Sequence, residues 1–313
     1  MLIATLPSVH QEELMKKIIA HPLIEGVRYN TGACSSYAPK ETLERILLLT
    51  KEHNKKFWVD LKGRQLRIKK WAVPVYGKIE LNHNIEVDTG ARVFFRGNEW
   101  SEIKVVKDNV IYVDPPPRVA VGEGQAINIV GKNLKIEGYS TDGDYSYIEA
   151  AVDLGVSDFM LSFVECLEDI AEVSEIIECN QKYDFKNNPA RFVLKIESPK
   201  GLDFVKNISK HIIDNCTLMA ARDDLMINIG DNKARMISAM EDIISKDPDA
   251  ILASRIFSGL ESNGEASMSD FSDICLSEKM GYKNFMLSDG ICQRHFDSAM
   301  KAWEDYSSRR KNE

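Results

Sequence analysis

The chain has 313 residues, 44% hydrophobic and 28% charged, enough to build a real core in one large domain or two small ones. Its formal net charge of −8 argues against a general nucleic-acid binder, which carries a basic excess, but still allows a few local Arg and Lys residues to hold an anionic metabolite. No apolar run approaches the roughly 18–20 residues of a membrane span, and the opening residues have neither the basic region nor the apolar stretch of a signal peptide, so neither nucleic acid nor membrane is an expected partner.

Short runs rich in Val, Ile and Phe alternate with amphipathic stretches along most of the chain. The candidate strands are 2–6, 26–30, 56–60, 159–164, 191–197, 217–221, 250–254 and 284–288. Between them, 40–54 places Leu43, Ile46, Leu47 and Thr50 on one face at helical spacing. In 198–214, Ser198 is an N-cap with Pro199 at the first helical position, and the segments 231–245 and 271–280 read as helices in the same way. Eight strands, each followed by a helix, predict a (β/α)8 TIM barrel.

The alternation breaks between about Lys70 and Gly138. Short alternating runs there are separated by turn signals at 88–90, 96–98, 107–109, 114–117 and 122–124, and no helical pattern intervenes. This predicts a small all-β barrel domain, 70–138, inserted after strand three of a barrel domain formed by 1–69 and 139–313. A domain in that loop borders the barrel mouth and can act as a lid. Asp142 and Asp144 predict a helix start rather than a calcium loop, with Asp142 as N-cap. Gly122–Gly124 reads as a hairpin turn, Trp58 as core, and Trp71 as a residue that could face an interdomain cleft. The six histidines are scattered. The six cysteines form no C-x-x-C pair, and Cys292 with His295 lacks a second pair, so reduced thiols in the cytoplasm are expected. The end of the chain, from Ser307, reads as a frayed tail.

Catalytic groups in such barrels come from the carboxyl ends of strands. Strand five ends in Lys195 and Glu197, which share one face. Strand six is followed by Arg222, Asp223 and Asp224, strand three by Asp60 through Arg67, and strand two carries Arg28 and Asn30. Gathered on one rim, these make a carboxylate pair with a lysine and two arginines. Mg²⁺ is held by one or two carboxylates plus substrate oxygens, which suits Glu197 and Asp224. Arginine forks suit phosphate or carboxylate, and Lys195 suits developing negative charge. Rim salt bridges are the competing reading of the same residues.

These residues, taken in order, resemble the pyruvate kinase family. Val27–Asn30 is similar to the family's arginine–asparagine strand, and Asp60–Gly63 with Arg67 to its D-x-K-G-x-x-x-R segment. Ser162–Phe163, the Lys195–Gly201 stretch, Ala221–Leu225, Ala253–Ser254 and Met286–Ser288 resemble its later motifs, and the inserted all-β segment falls where the family has its lid. The resemblance implies that Glu197 and Asp224 bind Mg²⁺ (or Mn²⁺) and that Lys195 contacts the transferring phosphoryl group and supports the enolate. Arg28 and Arg67 would then sit near the phosphates, and Lys132 on the lid would contact nucleotide. Ser254 would stand for a threonine at the substrate carboxylate, where the Asp223 amide also lies, and Ser288 for a serine near the proton-transfer path. Asn30 and Asp60 match two monovalent-cation ligands.

The sequence departs from that pattern at several points. Gly32 and Ala33 replace a serine cation ligand and a histidine beside the nucleotide, which counts against K⁺ and ADP. Gln65 stands where many K⁺-dependent members have glutamate, Glu165 where arginine is usual, and Met226 where glycine follows Asp-Leu. Asp223 replaces a glycine and adds like charge beside Asp224, for which Arg222 and the metal are the expected compensators. The family's C-terminal regulatory domain is not expected in this chain, so oligomeric state, including a homo-oligomer, stays open. Three functions fit. One is a pyruvate kinase-like phosphotransferase of glycolysis acting on phosphoenolpyruvate or pyruvate with Mg²⁺ and ADP. The second is a metal-dependent lyase, aldolase or decarboxylase on a 2-oxo acid, and the third a degenerate metabolite- or partner-binding protein.

Overall fold

A computed structural model of the chain describes residues 1–33, 35–72, 78–96, 99–180, 189–213 and 215–309. The turn expected at 96–98, the end of the segment 198–214, Cys34 and the last four residues of the tail therefore lie wholly or partly outside the described residues.

The barrel opens with β1 (Leu2–Thr5), α1 (Glu12–Ala20), β2 (Gly26–Asn30), α2 (Pro39–Glu52) and β3 (Lys56–Leu61). The insert follows, with β4 (Lys78–Glu80), β5 (Ile85–Glu86), β6 (Arg92–Arg96), β7 (Glu99–Lys107), β8 (Val110–Asp114), β9 (Asn128–Val130) and β10 (Lys135–Ile136). The chain returns through α3 (Asp142–Asp153), β11 (Asp158–Leu161), α4 (Leu167–Glu178), β12 (Arg191–Ile196), α5 (Pro199–Asn207), α6 (Lys210–Ile213), β13 (Cys216–Ala221) and α7 (Arg222–Asn228). It closes with α8 (Arg235–Lys246), β14 (Ile251–Ala253), α9 (Ser258–Asn263), α10 (Met268–Met280), β15 (Asn284–Met286), α11 (Asp289–Arg294) and α12 (Phe296–Arg309). The eight expected strands pair in parallel and close in the order β1-β15-β14-β13-β12-β11-β3-β2. Strands buried on both faces must be apolar throughout, which is why they read as continuous Val/Ile/Phe runs rather than alternating ones. Residues such as Ile3, Met160, Met219 and Ile251 point into the barrel, with Trp58 beside them as expected, while Val27, Leu161 and Leu194 pack outward under the helices. Among the described residues no helix is long and apolar enough to cross a membrane.

Two expectations need correction. The segment 198–214 is two helices, because Ile208 leaves helical geometry (φ −63°, ψ 136°) while remaining buried. The N-cap of α3 is Thr141 rather than Asp142: its hydroxyl accepts from Asp144 N, and Asp144 returns a carboxylate to Thr141 N in a capping box. The insert is all-β, as expected: its strands form an antiparallel five-stranded sheet, β4-β8-β7-β6-β9, whose two edges are joined by the segment 66–69 through the antiparallel bridges Arg67–Ala126 and Ile68–Leu81, with a separate two-stranded ribbon, β10-β5. It has its own core around Leu81, Val93, Ile103 and Ile111. Gly122–Gly124 is a turn, as expected, with Gln125 N donating to Gly122 O, and Trp71 is largely exposed over Gly122.

The entry to the insert is tightly built. Asp144 also accepts from Lys62 N at 2.7 Å and Gly63 N at 3.1 Å, so the end of β3 hangs on the start of α3. Gly63 has φ +49°, and a Cβ there would meet the Tyr139 ring at 2.6 Å and Ser162 O at 2.7 Å. Both the backbone conformation and the space demand glycine. Gly63→Ala is expected to destabilise the protein by about 2–4 kcal/mol, read as a lower denaturant midpoint at unchanged slope. A loss under about 0.5 kcal/mol would show that this turn relaxes freely.

Candidate active site

The carboxyl ends of β2, β3, β11 and β12 converge on one buried carboxylate, Asp60, which is fully inaccessible. Arg28 donates to Asp60 Oδ2 from Nε at 2.7 Å and also from Nη2, Lys62 Nζ lies 3.5 Å from Oδ2, and Lys195 Nζ lies 3.5 Å from Oδ1. Arg28 also reaches Thr5 Oγ1 at 3.1 Å and Asp289 at 3.4 Å, which ties the cluster to β1 and α11. Burial alone would push the Asp60 carboxyl up, but Arg28, Lys195 and Lys62 together push it well below the usual carboxylate range. Burial lowers Lys62 to about 7 despite the attraction of Asp60.

Lys195 joins this cluster to a second carboxylate. Its ammonium donates to Ser162 Oγ at 2.8 Å and sits 3.1 Å from Glu197 Oε1, while Ser162 Oγ in turn donates to Leu61 O at 2.7 Å. Burial tends to lower Lys195, yet Asp60 and Glu197 raise it above its ordinary value, so it stays charged. Glu197 is 2% exposed and accepts from Phe163 N at 2.7 Å. Phe163 holds φ +53°, a sparsely populated conformation for a non-glycine residue, and it is this turn after β11 that aims the amide at Glu197. Burial raises the Glu197 carboxyl to about 7; Lys195 opposes this and the nearby Asp224 adds to it.

Asp224, in the first turn of α7, accepts from Asn128 Nδ2 at 2.8 Å, a contact from the insert onto the barrel. Asn228 Nδ2 lies 2.9 Å from Asn128 Oδ1 and 3.0 Å from the carbonyls of both Glu197 and Asp224. Sequence reasoning missed both asparagines; the sole local signal is a lone polar residue in the apolar run of β9. The added charge at Asp223 is met by Arg255, whose Nε lies 3.1 Å from Asp223 Oδ1. The expected compensator, Arg222, instead donates to Ser254 O and to Asp273. Ser254 and Arg255 both have positive φ, so the turn after β14 doubles back toward Asp223. Ser288 caps α11 and donates to Glu261 Oε2 at 3.1 Å.

Arg67 stands at the insert's base, donating to Gln65 Oε1 at 2.7 Å and to Gly124 O at 2.5 Å. A Cβ on Gly32 would lie 2.5 Å from the Arg67 guanidinium carbon, so the glycine leaves room for Arg67. Asn30 Oδ1 accepts from Gly32 N at 3.0 Å. Lys132 is exposed and lines a cleft of about 780 Å³ between insert and barrel, together with Arg64, Lys135, Lys200 and Phe204. Lys200 spans this cleft to Leu134 O at 2.9 Å. Glu165 accepts from Ser198 Oγ at 2.6 Å on the same side.

No group of three His, Cys, Asp or Glu side chains placed to hold a metal ion occurs among the described residues; the donors at this rim are the two carboxylates Glu197 and Asp224, a set that suits a hard cation completed by substrate and water. A buried carboxyl raised to about 7 beside a second carboxylate is also a place where a divalent cation would relieve the mutual repulsion. The residues present therefore fit Mg²⁺.

Comparison with known proteins identifies the family and the fold. The sequence profile of "Pyruvate kinase, barrel domain" matches residues 87–296. Pyruvate kinase of Methanocaldococcus jannaschii is 28% identical over 224 residues, covering 66% of this chain and 46% of its own length. That of Thermoplasma acidophilum is 25% identical over 300 residues, covering 87% and 51%. The chain thus spans about half the length of these curated relatives. Among solved structures, Cryptosporidium parvum pyruvate kinase superposes with a TM-score of 0.72 at 19% identity, covering 96% of this chain and 67% of that one. The Pyrobaculum aerophilum pyruvate kinase gives 0.69 at 16% identity, covering 96% and 71%. At these identities the two structures speak to the fold.

Proposed function

This chain belongs to the pyruvate kinase family, and from that membership we propose that it transfers a phosphoryl group between phosphoenolpyruvate and a nucleoside diphosphate at the barrel mouth. The observation that carries this reading is the buried chain Asp60–Lys195–Glu197, set beside Asp224 and closed over by Asn128 of the insert. A site for a neutral metabolite has no need of this density of buried charge, whereas an anionic phosphoryl donor does.

In this mechanism Glu197 and Asp224 would hold Mg²⁺, which would supply positive charge to offset the negative charge that develops during transfer. Lys195, held by Asp60 and Ser162, places its ammonium against the charge that passes from the enol oxygen to the phosphoryl group. Arg28 and Arg67 extend the positive wall toward the phosphates. Ser254 and the Asp223 amide receive the substrate carboxylate, and the Asp223–Arg255 pair keeps the added carboxylate from repelling it. Ser288 serves the proton that converts enolate to pyruvate. Lys132 draws the nucleotide under the insert, which shuts water out of the reaction.

The Asp60 pocket also bears on the monovalent cation suggested for Asn30 and Asp60. Three protein cations already surround Asp60, and the Asn30 oxygen is taken by Gly32 N. Replacing K⁺ by tetramethylammonium should change kcat/KM less than about twofold. A fall of about tenfold or more would show a required monovalent site.

The direct test is Mg²⁺-dependent pyruvate formation from phosphoenolpyruvate with each of the common nucleoside diphosphates. Turnover lost on chelation and restored by Mg²⁺ is expected. No turnover with any nucleoside diphosphate rules the reading out.

A further inference from the structure

The hydroxyl at the start of α11 is not free to donate in any direction. Ser288 Oγ accepts from Ile291 N at 3.3 Å, as an N-cap does, and its proton is directed at Glu261 Oε2, 3.1 Å away on α9. The other Glu261 oxygen accepts from Arg294 Nη2 at 2.8 Å. Space has been made for this carboxylate in an unusual way. A Cβ on Gly290 would lie 1.7 Å from Glu261 Oε1, so the side chain from α9 occupies the volume that any residue other than glycine would claim at position 290. Gly290 sits in the first turn of α11 without a positive φ, so its backbone has no need of glycine. The need is for Glu261. The carboxylate is partly exposed, with 31% of the side chain reached by solvent, and can exchange protons with water.

We propose that Glu261 is the positioning residue that aims the Ser288 hydroxyl and renews its proton, acting through Ser288 at the enolate carbon. The inference rests on the phosphotransfer reading above. Toward pyruvate, the Ser288 O–H bond breaks as its proton bonds to the enolate carbon. At the same time a proton from solvent water, passed along the partly exposed Glu261 side chain, bonds to the serine oxygen and restores its hydroxyl, and Glu261 ends as the carboxylate that Arg294 holds. In the reverse direction the Glu261 carboxylate takes the Ser288 proton as the serine oxygen takes one from the pyruvate methyl group.

The test uses the full chain with Mg²⁺ and ATP, and follows deuterium exchange into the pyruvate methyl group alongside turnover of phosphoenolpyruvate. Glu261→Gln keeps the volume and removes the proton acceptor. Gly290→Ala leaves Glu261 in the sequence but drives a methyl into its place. Each is expected to slow exchange and kcat by about 10²-fold, with KM for phosphoenolpyruvate within about twofold. The thermal shift given by Mg²⁺ plus oxalate should be unchanged in both. Glu261→Asp, which keeps a carboxyl, should recover part of the loss, and Ser288→Ala combined with Glu261→Gln should cost little more than either alone. Glu261→Gln with exchange within about twofold of the parent overturns the relay and leaves the phosphotransfer reading standing. So does loss of the oxalate shift in the variants, because a collapsed site is a structural effect. A parent protein that binds oxalate but neither exchanges nor turns over overturns the phosphotransfer reading and the relay with it.

Discussion

Lys195→Met is expected to lower turnover by about 10²–10³-fold, with KM for phosphoenolpyruvate changed far less. The reason lies in where the ammonium is held. It sits 3.1 Å from Glu197 and 3.5 Å from Asp60, and it donates to Ser162. Because these partners keep it charged and fixed, it need not reorganise as negative charge moves through the site, and such preorganised charge acts on the transition state more than on bound substrate. The substitution has a second effect. Glu197 is buried and loses the cation that opposes its rise, so its carboxyl should be protonated at higher pH than in the parent, weakening the hold on Mg²⁺. The Mg²⁺ concentration giving half-maximal rate should therefore increase, and more so at pH 6 than at pH 8. Turnover within about tenfold of the parent, measured at saturating Mg²⁺ and equal folded fraction, would remove Lys195 from the chemistry.

How much of this site can be read from the chain depends on the separation of the contacting residues. The eight barrel strands are legible because parallel strands buried on both faces leave continuous apolar runs. Lys195 and Glu197 are legible as a pair because a two-residue step on a strand returns to the same face. The N-cap at Ser198 is legible because it is a local hydrogen bond, to Gly201 N. Contacts that depend on tertiary approach leave no such trace. Asn128 and Asp224 are 96 positions apart, and nothing in either local sequence says that the insert folds down onto α7. Arg255 reaches Asp223 only because two successive residues after β14 take positive φ, so Arg222, the neighbour in sequence, looked like the compensating cation. The break in the helix after Asn207 is hidden because Ile208 keeps the apolar periodicity while its backbone leaves the helix.

Asp60→Asn is the substitution expected to cost most in stability. Asp60 is wholly inaccessible and is the shared anion for Arg28, Lys62 and Lys195. An amide of the same shape keeps the packing but leaves three cations crowded together in a low-dielectric pocket. Removing one member of a buried ion pair costs about 3–5 kcal/mol, because the penalty is the uncompensated charge that remains. The repulsion has one local outlet, since Lys62 already titrates at about 7 and can lose its proton. The variant should therefore be less destabilised at pH 9 than at pH 6. The acid side gives an independent check of sign. The Asp60 carboxyl in the folded protein lies well below its ordinary value, so its stabilisation is fully present above the unfolded carboxylate range. It fades as pH falls through about 4 toward the folded value, because the unfolded chain takes up the proton first. Parent and variant denaturant curves should thus converge as pH falls below about 4 and stand furthest apart near neutrality. Equal stability of the two proteins at pH 6 would mean that the three cations are neutralised by groups other than Asp60, and would also withdraw the reason for expecting K⁺ independence.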